Sequence, residues 1–237
     1  MTGTLYLLPT ALGDSPWTRY LAPDSRDVAR KITYFAVENA KSARAELKRI
    51  GHPVALRELS IRQLPETMDD GIAAELLQPL RSGHDLGLMS EAGCPGVADP
   101  GASLVRLAHA AGIQVQPLVG ASALLLALMA SGLEGQRFAF HGYLPQREPE
   151  RSRRIQDLET ESARRHQTQL FIETPYRNRA LYDALLAACH PATLLCVATD
   201  LTLPSEEIRT RVVADWRAIT PPALERRPSV FLMLSAR

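Results

Sequence analysis

A chain of 237 residues with 46% hydrophobic and 22% charged content can bury the core of one large domain or two small ones, and falls outside the compositions of disordered or fibrous proteins. Its formal net charge of +1 supplies no overall field that would draw it to nucleic acid or to an anionic membrane. The three cysteines, Cys94, Cys189 and Cys196, form no Cys-x-x-Cys pair, and their odd number argues against a secreted disulfide framework and for a reducing, cytoplasmic compartment.

The first apolar run, Leu5-Tyr6-Leu7-Leu8, has no basic flank and is too short for a signal-peptide core or a membrane span, so it reads as a buried strand. Further strand-like runs occupy residues 33–37, 86–89 and 113–118. Helical periodicity covers residues 42–50, stopped by Gly51 and Pro53, then a stretch from Met68 to residue 81, then residues 103–111, stopped by Gly112. That alternation predicts a mostly parallel α/β sheet. The run 121–130, with Leu124, Leu125, Leu126 and Leu128, is half a membrane span and reads as a buried core helix. Around residues 142–149 the pattern turns polar and proline-flanked, which predicts a boundary between an N-terminal α/β domain, 1–143, and a C-terminal α/β domain, 144–237. The second domain is expected to hold helices at 150–163 and 178–189 and strands at 169–172, 193–199 and 230–234. No fixed-period repeat or low-complexity tract interrupts this order, so two α/β lobes facing one cleft are expected.

Between the strand at 86–89 and the helix after it runs Ser90-Glu91-Ala92-Gly93-Cys94-Pro95-Gly96-Val97-Ala98-Asp99-Pro100-Gly101. Glycines let a ligand approach backbone that a β-carbon would hold away, and the ends of parallel strands are where α/β proteins bind ligands. A tight strand-to-helix turn is the alternative reading. Asp99 followed by Pro100 has the form of an N-cap with a first-turn proline. The loop matches neither the Gly-Lys-Ser/Thr phosphate loop nor Gly-x-Gly-x-x-Gly, so neither a nucleoside triphosphate nor NAD is indicated.

Glu38, Glu91 and Glu173 fall at predicted strand ends, where a carboxylate can serve as a general base or can cap a helix or pair with an arginine. The six histidines show no paired metal-ligand spacing, so no metal is expected. Cys94 has no neighbouring cation in sequence to activate it and reads as a small residue beside a ligand. Arg147, Arg151, Arg153, Arg154, Arg164, Arg165 and His166 could grip phosphates, or could form a solvated face balanced by Glu148, Glu150, Asp157, Glu159 and Glu161.

Five segments in order resemble the tetrapyrrole methylases, in particular the branch that methylates a ribose 2′-hydroxyl of small-subunit rRNA. They are Leu5 to Thr10 with Leu12-Gly13-Asp14; Ser90 to Pro95 with Asp99-Pro100-Gly101; Val119-Gly120-Ala121-Ser122-Ala123; Gly142-Tyr143-Leu144-Pro145; and Glu173-Thr174-Pro175-Tyr176-Arg177. The resemblance implies a two-domain α/β protein, usually a homodimer, that binds S-adenosyl-L-methionine in the cleft between its lobes. It implies cofactor contacts at Pro9, Ser90, Glu91, Ala92, Gly93, Gly120, Ala121, Ser122, Tyr143 and Thr174, with Glu38 and Glu173 as candidate catalytic carboxylates. rRNA or the small ribosomal subunit is the implied partner, and no membrane is. The chain departs from the family pattern at Val37-Glu38-Asn39-Ala40-Lys41, which keeps the glutamate of Ala-Glu-Asp-Thr-Arg and loses the aspartate and arginine. It departs again at Thr199 to Pro204 and at Arg227-Pro228-Ser229. Two alternatives stay open: carbon methylation of a tetrapyrrole precursor, and a non-catalytic cofactor-binding paralogue.

Overall fold

The computed structural model describes residues 2–236 apart from Glu66 and Met68. It divides into two compact units, Met1–Ser122 and Ala123–Arg237.

The first unit runs β1 (Leu5–Leu7), α1 (Pro23–Ala29), β2 (Tyr34–Val37), α2 (Ala40–Arg49), β3 (Ser60–Gln63), α3 (Asp70–Arg81), β4 (Leu86–Met89), α4 (Ala102–Ala110) and β5 (Val115–Pro117). The five strands pair in parallel in the order β3-β2-β4-β1-β5. Because side chains alternate along a strand, each strand contributes to two cores. Leu8, Phe35, Val37 and Met89 pack with Ala29, Ala43 and Leu47 of α1 and α2. Leu5, Ala36, Leu86 and Leu88 pack with Leu76, Leu80, Leu104 and Ala108 of α3 and α4. At Gly87 a Cβ would lie 2.8 Å from the Phe35 ring, so this glycine makes room for that buried ring. The chain therefore leaves β1 across one face and β4 across the other, and β1 and β4 are neighbours. That is the topological switch point at which parallel sheets open a crevice.

Two local expectations change. Helix α3 begins at Asp70, capped by Asp69 accepting from the Ile72 N–H at 2.8 Å; Met68, where the periodicity starts, lies outside the described residues. Asp99 does not cap α4. Gly101 takes the cap position at φ +128°, a left-handed conformation suited to glycine, and a Cβ there would sit 2.8 Å from Leu88. Asp99 is left in the loop.

The second unit runs α5 (Ala123–Ser131), β6 (Phe138–Tyr143), α6 (Glu150–Arg165), β7 (Thr168–Ile172), α7 (Asn178–Ala188), β8 (Leu194–Thr199), β9 (Glu207–Val212), α8 (Val213–Arg217) and β10 (Ser229–Leu234). Its sheet order is β6-β7-β10-β8-β9, with β6 and β7 parallel and the other pairs antiparallel. The units thus part before α5 and not at Tyr143. The reason is pairing: β6 hydrogen-bonds to β7, and α5 packs on β8, β9 and β10. Nor is α5 buried all round, since Ala127, Leu128 and Ser131 face inward while Leu125 and Met129 are 52% and 79% exposed. The core on the α6, α7 and α8 side centres on Trp216, which meets Tyr182 edge-on and donates from Nε1 to the Leu195 carbonyl at 2.8 Å. Among the described residues no helix is long and apolar enough to cross a membrane.

Candidate functional site

In the first unit the loops after β1, β4 and β5 are bonded into one cradle at the carboxyl edge of the sheet. Thr10 and Gly93 exchange backbone hydrogen bonds at 2.9 and 3.2 Å, and the Thr10 hydroxyl donates to the Ser90 carbonyl at 3.3 Å. Leu21 bridges Gly120, and the Ala121 N–H donates to the Tyr20 carbonyl at 2.8 Å. A Cβ at Gly120 would stand 2.4 Å from Pro9 Cβ, so the β5 loop lies flush on the proline only because residue 120 has none. The Cys94 thiol donates to the Ala121 carbonyl at 3.3 Å, and burial together with Asp99 pushes its pKa up, away from reactivity. Of the sequence-predicted cofactor residues, Pro9, Ser90, Gly93, Gly120 and Ala121 are therefore brought together. Glu91, Ala92 and Ser122 are their chain neighbours, and Glu91 and Ala92 are exposed.

A buried brace supports the β1 loop. The Tyr20 hydroxyl donates to Glu46, itself 3% exposed, and Arg49 completes the pair at 2.6 Å while reaching Asp14 at 3.3 Å. Burial, with the Glu46 carboxylate next, raises the Tyr20 pKa, so the phenol keeps its proton and stays a donor.

Three carboxylates gather at the same edge. Glu38, just past β2, accepts from the Glu91 N–H at 2.8 Å, and Glu91 accepts from the Ser42 hydroxyl at 3.3 Å. Glu38 thus fastens the β4 loop. Asn39, where the family pattern has aspartate, caps α2 by accepting from the Lys41 and Ser42 N–H groups at 2.9 and 3.1 Å. Asp99 sits half-buried beside them, and its carboxyl is pushed up to about 6 by burial first and the Glu38 charge second; the nearby Ser90 hydroxyl opposes the shift, and Glu91 adds to it. Ser90 is 3% exposed, and its hydroxyl makes no well-formed hydrogen bond. Asp99 reads from the sequence as a helix cap; its place in the site depends on Gly101 taking that position, which a pattern of residue types does not reveal.

Tyr143, Glu173 and Thr174 belong to the second unit, at the carboxyl ends of the parallel pair β6 and β7. Glu173, its side chain 6% exposed, accepts from the Thr174 N–H at 2.6 Å and from Arg177 at 2.7 Å. Arg177 is in turn held more firmly protonated. Glu173 is committed to this loop. Tyr143 is exposed, and the Gln146 amide oxygen, in the orientation that satisfies both groups, accepts from Arg177 at 3.2 Å. His141 bonds Gln169 at 2.6 Å and approaches Arg154 at 3.3 Å, which makes it a structural histidine. Much of the basic set is also engaged: Arg151 pairs with Glu148 at 2.8 Å and Arg165 with Glu161 at 3.2 Å, while Arg147, Arg153 and Arg164 are exposed. Among the described residues no cluster suits a metal ion.

A doubly covered parallel sheet with a loop cradle at its switch point defines a small-ligand-binding α/β protein. The chain belongs to the tetrapyrrole methylase family: the sequence profile of the Tetrapyrrole (Corrin/Porphyrin) Methylases matches residues 21–215. Members of this family are methyltransferases that take the methyl group from S-adenosylmethionine. The chain is 34% identical over 200 residues to the ribosomal RNA small subunit methyltransferase I of Xylella fastidiosa, covering 84% of this chain and 69% of that one. It is 28% identical over 235 residues to the protein of that name from Escherichia coli O157:H7, covering 98% and 77%. It spans 58% of the Pseudomonas aeruginosa protein of the same name. Among solved structures, the methyltransferase CobJ superposes with a TM-score of 0.63 at 19% identity, covering 100% of this chain and 95% of CobJ, which is a likeness of fold.

Proposed function

We propose that this chain is an S-adenosylmethionine-dependent methyltransferase of a ribose 2′-hydroxyl in small-subunit rRNA. The observation that carries the reading is the relatives of that name, aligned over most of the chain, together with the cradle that the matching loops build. The residues fit the donor. A methionine-like end needs polar partners, and the buried Ser90 hydroxyl is without one; a purine needs space, and Ala92, Gly93, Gly120 and Ala121 leave it. When bound, the donor supplies an electrophilic methyl group on a positively charged sulfur. In this reading Pro9, Ser90, Glu91, Ala92, Gly93, Gly120, Ala121 and Ser122 of the first unit bind it.

Methyl transfer is an in-line displacement, so the protein's work is to align the acceptor oxygen and exclude water. Glu38 and Glu173 are the candidate catalytic carboxylates of this reading; one oxygen of Glu38 holds the β4 loop in position and one of Glu173 holds Arg177. The exposed arginines Arg147, Arg153 and Arg164 offer phosphate contacts to the rRNA. The same reading includes a homodimer, with Leu125 and Met129 of α5 as the available apolar surface. A carbon-methylating role on tetrapyrroles has fold likeness alone behind it, whereas the rRNA role has relatives at 34% identity. Calorimetric titration with S-adenosylmethionine, followed by labelled methyl transfer to undermethylated small ribosomal subunits, tests the proposal. The expected result is saturable binding and label in the rRNA. Binding with transfer only to a tetrapyrrole precursor, or with no transfer to either acceptor, overturns it.

A further inference from the structure

We infer that the polar stripe of α2, formed by Ser42, Glu46 and Arg49, positions the three loops that receive the methyl donor. The inference rests on the methyltransferase reading and deepens it by naming residues that govern donor binding through others. The three stand at i, i+4 and i+7, on one side of the helix. Lys41, Arg44, Ala45 and Lys48 are exposed, whereas Glu46 is 3% exposed and Ser42 and Arg49 are half-buried. The stripe therefore lies against the protein, beside Ala43 and Leu47, which enter the core.

Each member of the stripe fastens a different segment. The Ser42 hydroxyl donates to Glu91 of the β4 loop at 3.3 Å. Arg49 donates to Asp14 of the β1 loop at 3.3 Å and to Glu46 at 2.6 Å. Glu46 in turn accepts from the Tyr20 hydroxyl. Tyr20 carries the tie to the third loop: its carbonyl accepts from the Ala121 N–H at 2.8 Å, and Leu21 bridges Gly120. A Cβ on Gly120 would stand 3.1 Å from that same carbonyl, so the β5 loop rests directly on a residue whose side chain α2 holds. One helix thus sets the spacing of the β1, β4 and β5 loops, and a binding site works only when such spacing is held within about 0.5 Å. Stability alone does not call for this arrangement, because apolar residues of like volume often replace a buried ionic set without loss. What apolar contacts lack is direction. Glu46 accepts from Tyr20 on one oxygen and from Arg49 on the other, which orients both side chains at once.

The test replaces the set by apolar groups in one combined variant, Tyr20→Phe with Glu46→Met and Arg49→Met. It reads the melting temperature, S-adenosylmethionine affinity by calorimetry, and methyl transfer to undermethylated small ribosomal subunits. The combined variant is expected to melt within about 5 °C of wild type. Its donor affinity is expected to fall about 10-fold or more as the loops lose their preset spacing. In transfer the same loss should appear as a higher donor KM, with kcat at saturating donor within about threefold of wild type. Tyr20→Phe alone, which keeps the Glu46–Arg49 pair, is expected to weaken donor binding about threefold, and it serves where the combined variant does not fold. Trp216→Ala, a core truncation in the second unit, is expected to leave donor affinity within about twofold, which separates positioning from a general loss of stability. Unchanged donor affinity in the combined variant, or in Tyr20→Phe where that variant does not fold, overturns the assignment alone. An equal loss of affinity in Trp216→Ala also overturns it. A folded wild-type protein that does not bind S-adenosylmethionine overturns the methyltransferase reading, and this assignment with it.

Discussion

In the first unit the loops leaving β1, β4 and β5 are bound to one another through their backbones, and the buried Ser90 hydroxyl has no committed partner. In the second unit the loops leaving β6 and β7 commit theirs: Glu173 to Arg177, Gln146 to Arg177, His141 to Gln169 and Arg154. Both sheets offer parallel strand ends, so the difference is not one of architecture alone. A ligand site needs polar groups whose hydrogen bonds are still available, and backbone bracing supplies rigidity without using them. Buried polar atoms without a partner remain in both: the Ser90 hydroxyl in the first unit, and Arg177 Nε beside the β7 loop in the second.

Breaking the scaffold should show the largest effect. Trp216→Ala removes a fully buried indole and its bond to the Leu195 carbonyl, at a cost of about 3–5 kcal/mol, read as a lower denaturation midpoint. A small change would mean that the α8 side of this core repacks readily. Next comes the cradle. Gly120→Leu places a side chain where Pro9 Cβ stands 2.4 Å away, so the β5 loop must lift off the β1 loop. The expected loss in S-adenosylmethionine affinity is about 100-fold, or about 2.7 kcal/mol, by calorimetry, with the far-ultraviolet circular dichroism unchanged. Unaltered affinity would remove this loop from the site. Tyr20→Phe tests the brace: Glu46 loses its phenol donor while keeping Arg49, which should cost about 2 kcal/mol of stability in chemical denaturation.

How far the sequence reaches is seen in particular elements. β4 is a continuous apolar run buried on both faces, and its span is legible residue for residue. The edge strands β3 and β9, Ser-Ile-Arg-Gln and Glu-Ile-Arg-Thr-Arg-Val, mix polar with apolar residues because their surroundings are half solvent, and composition alone does not separate them from loops. The proline-flanked stretch after Tyr143 looks like a boundary, yet the pairing of β6 with β7 decides where the units part. In the site, the glycines and small residues of the cradle are legible because their function is to be small. The bonds that fix Glu38 and Glu173 are not, because they depend on which N–H reaches which oxygen.

The most delicate contrast concerns charge. A carboxyl raised to about 6 in the folded protein binds its proton more tightly there than in the unfolded chain, where an ordinary aspartate titrates near 3.8. Between those values the folded state carries more protons, so stability must fall as pH rises. The Asp99 contribution is fully present below about 4 and lost once pH passes about 6. Since the group is half exposed, solvent screening reduces the effect to on the order of 1–2 kcal/mol. Asp99→Asn removes the ionisation: it should match wild type at pH 4 and exceed it at pH 8, by a thermal shift of about 2–4 °C per kcal/mol. Glu173→Gln, which breaks the ion pair with Arg177, should instead lower stability at pH 8. Opposite signs from two acidic-to-amide changes would show that the first unit holds a carboxylate against its own stability while the second uses one for it. Equal signs would mean that Asp99 is a paired structural acid like Glu173.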